Sequence, residues 1–129
     1  MIRITENGIW MRQGDSGNIP FEDLPKDKAY NVYFSIFNEE TQKVVKEISG
    51  NFNQSTGEAV IPFAPSATND VPVGEYTFAL KTCYTDTNTG LVTEDTWIPE
   101  TTVSDGVVIE LPAPTFTLAV KRVEGTDNG

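Results

Sequence analysis

Arg12 and Asp15 stand three residues apart in MRQGDSG (residues 11–17), at the bend between two strand-like pieces. A cation and a carboxylate at that spacing could bind a ligand, pair with each other, or shape a turn. Gly14 permits the bend and Asp15 can accept backbone N–H bonds within it, so Arg12, Gly14 and Asp15 are expected to form a structural turn. An exposed Arg12–Asp15 ion pair would add at most about 1 kcal/mol. Gln13 separates the arginine from the glycine, so the stretch is not an Arg-Gly-Asp tripeptide.

Other chemistry is harder to assemble. The chain has no histidine, which removes the commonest general base and the commonest metal ligand. Nucleophilic catalysis would then need a lysine or a carboxylate as base. The closest acidic pairs, Glu22/Asp23, Glu39/Glu40 and Glu94/Asp95, are adjacent in sequence, and neighbours on a strand point to opposite faces. The expectation is no enzyme, no cofactor and no metal. DTNTGLVTED (86–95) approaches a calcium-loop spacing, but glycine falls at the fifth position rather than the sixth, and a polar hairpin is expected instead. Cys83 is alone, so no disulfide can form within the chain, and it reads as a small packing residue.

The aromatic residues carry the stronger signal. AYNVYFSIFN places Tyr30, Val32, Phe34 and Ile36 on one face of a strand, which leaves Tyr33 and Phe37 on the other. Trp10 is out of phase with Ile9 and Met11, and Trp97 with Ile98. Large apolar groups on both faces of a strand mean burial on both sides or a surface that meets a partner. Trp10, Tyr33, Phe37 and Trp97 are the candidate interface. Stacking on a sugar would use the same residues, so a carbohydrate- or peptide-binding module of a bacterial surface protein is the alternative.

Composition bounds the architecture that must hold these residues. A length of 129 residues suits one domain, expected over residues 1–124 with a tail at 125–129. The net charge of −10, divided as −3 over residues 1–64 and −7 beyond, argues against a nucleic-acid partner. Apolar runs are a few residues long, so no membrane span is expected, and the opening MIRITENG reads as mature protein rather than a signal peptide. Period-two alternation recurs in GEAVIPF (Ala59, Ile61, Phe63), GEYTFALKTCY (Tyr76, Phe78, Leu80), GVVIEL (Val107, Ile109, Leu111) and FTLAV (Phe116, Leu118, Val120). Shorter strands are expected at Ile9–Met11, Gly17–Leu24, Lys43–Ile48 and Leu91–Ile98. PSATNDV (65–71) could form one helical turn capped by Ser66. With SDG, STG, NTG and DSG supplying turns, this predicts an all-β, antiparallel, Ig-like sandwich of about seven to nine short strands and no long helix, with a small closed barrel as runner-up.

Residues 1–24, the pattern I-x-I followed by GIWMRQGDSGNIPFEDL, resemble the opening of the β-sandwich domain of small phage virion proteins. That family includes the N-terminal domain of baseplate upper proteins and related head- or tail-attached modules. The likeness lies in the corner Arg12-Gln13-Gly14-Asp15-Ser16 and the alternating Ile19, Phe21 and Leu24 that follow. KVVKEISGNFNQSTGEAVIPF is similar to the family's hairpin with a short acidic turn, and VPVGEYTFALK to its Gly-x-Tyr-x-Phe strand. The resemblance implies a structural virion component made in the bacterial host cytoplasm: a head-decoration, fibre-anchoring or tail/baseplate adaptor subunit. Its partners would be other virion proteins or copies of itself.

Overall fold

Strict apolar alternation produces two facing sheets. In the computed structural model, residues 2–5, 8–98, 101–104, 107–110 and 115–119 are described, and all further statements concern them. The strands are β1 (Arg3–Thr5), β2 (Gly8–Arg12), β3 (Gly17–Phe21), β4 (Asn31–Asn38), β5 (Lys43–Ser49), β6 (Asn51–Asn53), β7 (Glu58–Phe63), β8 (Gly74–Thr85), β9 (Val92–Ile98), β10 (Thr101–Ser104), β11 (Val107–Glu110) and β12 (Thr115–Ala119). The large sheet runs β1-β2-β12-β8-β4-β5, with β9 also paired to β8, and the small sheet runs β3-β7-β6. β10 and β11 form a separate hairpin. No helix among the described residues is long and apolar enough to cross a membrane.

The inward positions form one core. β8 contributes Tyr76, Phe78 and Leu80, β4 contributes Val32, Phe34 and Ile36, β2 contributes Ile9 and Met11, and β12 contributes Phe116 and Leu118. Ile19, Ala59, Ile61 and Phe63 face them from the small sheet. Phe34 is fully buried and joins both layers. Its ring stacks on Phe78 at 4.9 Å, meets Phe63 edge-on at 5.5 Å, and meets Phe116 at 6.1 Å. Such pairs add about 0.5–1.5 kcal/mol beyond area burial.

Length and local irregularity divide the work among neighbours. β8 has twelve residues, enough to pair with β12 over Gly74–Thr77 and with β9 over Leu80–Thr85 along the same edge. Between β4 and β5 the register shifts at Ile36/Phe37, so Val45 is the extra residue and packs against the core while its neighbour Val44 stays 54% exposed. Gly50 alone carries the chain from β5 in one sheet to β6 in the other, and its N–H donates to the Val32 carbonyl at 2.7 Å. Pro20 lies on β3, an edge strand, where its missing N–H is tolerated.

The all-β architecture and the inward faces of β2, β4, β7, β8 and β12 agree with the sequence expectations; several details do not. The described strands number twelve rather than seven to nine, because β1 and β6 are three-residue strands and the segment before β12 adds its own hairpin. The large sheet is not purely antiparallel: β12 inserts between β2 and β8 and runs parallel to β2. Tyr30 precedes β4 rather than belonging to it, and β3 ends at Phe21. Leu24 is still buried, anchored by its N–H donating to the Gly57 carbonyl at 2.9 Å. The turn at 65–67 is 3-10, and Ala64 takes its N-cap position with no side-chain cap, so Ser66 is not the cap. The segment expected as one hairpin with an acidic turn spans both sheets, and its turn is the non-acidic stretch 54–57. The side chains of Val107 and Ile109, residues Leu111 and Val120, and the tail at 125–129 lie outside the described part of the chain.

Truncating Phe34→Ala should cost about 3–5 kcal/mol, read as a lower midpoint in urea denaturation. Gly57 has φ +75° and an added Cβ would lie 2.7 Å from the Leu24 carbonyl oxygen. Gly57→Ala should therefore destabilise by more than about 1 kcal/mol in the same measurement.

Candidate functional site

The MRQGDSG corner is a joint that fastens the turn between the sheets. The Asp15 N–H donates to the Arg12 carbonyl at 3.1 Å, closing a four-residue turn whose third residue, Gly14, has φ +78°. Positive φ at that position only is the type II pattern. Around the turn, the Gln13 N–H donates to the Ala119 carbonyl at 2.9 Å and Gln13 Nε2 to the Val71 carbonyl at 2.7 Å. The Gly14 N–H donates to Thr68 Oγ1 at 2.8 Å, and Thr68 is fully buried. β2, β12 and the 68–71 turn thus meet at one bend.

The expected Arg12–Asp15 side-chain ion pair gives way to a different contact. The Arg12 backbone N–H donates to Asp15 Oδ2 at 3.0 Å, while the Arg12 guanidinium lies 5.0 Å from the centre of the Trp10 ring. Burial pushes the Asp15 carboxyl up. Hydrogen bonds and positive charge around it, the Arg12 N–H and guanidinium among them, outweigh that and hold it below the usual carboxylate range.

Trp10, Tyr33 and Phe37 all lie half-buried on the outer face of the large sheet, the side turned away from the core. Arg3 pairs with Trp10 across β1–β2, and its guanidinium covers the ring at 4.8 Å. The indole thus lies between two cations, each contact worth about 0.5–1 kcal/mol at an exposed site. Thr117 is the neighbour of Trp10 on β12, and Thr77 the neighbour of Phe37 on β8. Phe37 borders a shallow depression of about 240 Å³ whose lining includes Ser35, Val44, Glu47, Thr77 and Ala79. Glu39 folds over it, accepting from Thr77 Oγ1 at 3.0 Å, and Ser35 Oγ donates to Glu47 at 3.4 Å. Tyr33 sits beside Lys81, which is bound to Glu94 at 3.1 Å.

Trp97 does not join this face. The β8–β9 register shifts at Leu80/Lys81, which leaves Trp97 as the unpaired residue between Thr96 and Ile98 and turns it against the core. Residues 86–91 form a polar turn of the β8–β9 hairpin, in which Asp86 accepts from the Asn88 and Thr89 N–H groups at 2.8 and 3.3 Å. Beyond the core end of β8, Tyr30 packs edge-on to Phe52 and Tyr84 at 6.0 and 6.3 Å, and Lys28 lies over Tyr84 at 5.0 Å. The Tyr30 hydroxyl donates to Asp27 at 2.7 Å, which raises its pKa. Cys83 is half-buried on the outer face of β8, in line with Ala79 and Lys81. Among the described residues no group of three or more Cys, Asp or Glu side chains is placed to hold a metal ion.

Two contributors escaped the sequence reading. Arg3 reaches Trp10 through the β1–β2 register. Thr68 carried no signal, because it meets Gly14 from 54 residues away.

Thr68→Val should strand the Gly14 N–H and cost about 1–3 kcal/mol in thermal or chemical denaturation. The lowered Asp15 pKa contributes stability that is complete above 3.8 and is lost as pH falls through the lower folded value. Asp15→Asn should therefore flatten the loss of stability of the parent protein below that pH, with a smaller effect at neutral pH on the slope. In comparisons with known proteins, no family model, no curated protein and no solved structure matches this chain.

Proposed function

We propose that this protein is an Ig-like structural module that works through protein–protein contacts, as a subunit of a bacteriophage particle. The observation that carries the contact reading is the outer face of the large sheet, where Trp10, Tyr33 and Phe37 stand half-buried among threonines. Flat, aromatic surfaces with small polar residues between the anchors suit a protein partner. The phage assignment rests on the likeness of residues 9–24 and 71–81 to small virion sandwich proteins.

Two features support the Ig-like reading. The strand order β2-β12-β8-β4-β5 opposite β3-β7-β6, with β2 parallel to the last strand, matches the layering of such domains. The buried Tyr76 hydroxyl donates to the Pro72 carbonyl four residues upstream, the contact that defines a tyrosine corner. Sugar stacking is the weaker use of these aromatics, because Trp97 packs on the core and the Trp10 ring is already flanked by Arg3 and Arg12.

Mass spectrometry of particles purified from the phage that encodes the protein should find it in many copies. Its absence from purified particles would overturn the reading. Phe37→Ala should lower incorporation by roughly tenfold or more, as for a central interface aromatic, while the isolated variant keeps the parent's circular dichroism.

A further inference from the structure

We propose that the outer face of the large sheet is self-complementary and pairs two copies of this chain face to face about a two-fold axis. The inference rests on the protein-contact reading of that face and names its occupant. The order β1-β2-β12-β8-β4-β5 has its midpoint between β12 and β8. A two-fold axis along the strands at that midpoint exchanges β12 with β8, β2 with β4 and β1 with β5, and it preserves position along the strands.

Pairing registers place Arg3, Trp10, Thr117 and Glu75 in one row across the sheet. Because Phe37 pairs with Thr77, the row meets β4's continuation at Glu39. Charge is opposed across the axis: Arg3 and Arg12 flank Trp10 at one end, and Glu75, Glu39 and Glu40 surround the other. The exchange therefore sets Trp10 and its two guanidiniums onto Glu39 and Glu40 of the second copy, and symmetry makes the contact twice. Thr117 falls opposite Glu75 near the axis.

The size of the face suits a second copy, and charge selects its orientation. Six strands, separated by five spacings of about 4.8 Å, give a face roughly 24 Å wide, and strand lengths of about six residues give roughly 20 Å along it. Two such faces bury about 1,000 Å², the lower end for a specific interface, and twisted sheets stack at about −30°. The chain carries −10, so two copies repel in most orientations. Placing the Arg3–Arg12 cluster on the acidic end selects one orientation.

Sedimentation equilibrium of the full chain from about 1 µM to about 1 mM, the range of weak complexes, should show the mass rising from 14.2 kDa toward twice that value. Ionic strength is held at about 0.15 M, where the repulsion between the two chains is largely screened. Arg12→Glu and Glu39→Arg should each weaken self-association by about tenfold or more, and an equimolar mixture of the two variants should regain it, because both contacts are then opposite in sign. Should Arg12→Glu fail to fold by circular dichroism, Arg3→Glu takes its place beside Glu39→Arg, which lies in an exposed turn. A parent that stays monomeric, or variants that associate unchanged, would each overturn the pairing. A monomeric parent still found in particles overturns the pairing alone, whereas a dimer absent from particles overturns only the virion reading.

Discussion

Phe34 is the contact on which the two-layer arrangement depends. It belongs to the large sheet, yet its ring touches Phe63 of the small sheet as well as Phe78 and Phe116 of its own. Each sheet has one apolar face, and neither can be stable until the other covers it. The small sheet has only three strands, with β6 three residues long, so it relies on that covering more than on its own ladder. Most of the rest follows from keeping the layers in register about this ring. Gly50 passes the chain between sheets in one residue, and the corner at Gly14 ties β2, β12 and the 68–71 turn together.

Two bulges then decide which side chains remain for other uses. The irregularity in β5 sends Val45 inward and leaves Val44 beside Phe37 on the outer face. The one in β9 likewise turns a tryptophan, Trp97, against the core. An extra residue changes the face of every residue beyond it, because side chains alternate with a period of two. The outer face keeps Trp10, Tyr33 and Phe37, with Arg3 and Arg12 on β1–β2 and Glu39 and Glu40 in the β4–β5 turn.

Much of the framework was legible from local pattern. Val32, Phe34 and Ile36, like Tyr76, Phe78 and Leu80, alternate cleanly and are buried as a period of two requires. The outward positions of Tyr33 and Phe37 follow from the same count. Trp97 was misleading, since a bulge has no signature in the residues that flank it. The Arg12–Asp15 spacing pointed correctly to a turn but not to the Trp10 stack that occupies the guanidinium, which Arg3 completes from the neighbouring strand.

The sequence by itself determined which residues could be strands, which faces were apolar, and where glycine had to admit a turn. These are properties of adjacent residues and of backbone sterics, which act over a few positions. Only the tertiary structure decided the strand order, the parallel placement of β12 against β2, the meeting of Thr68 with Gly14, and the separation of Trp97 from Trp10. Each joins residues far apart in the chain, and alternation is satisfied equally well by many pairings. The choice among them is made by the packing of the shared core.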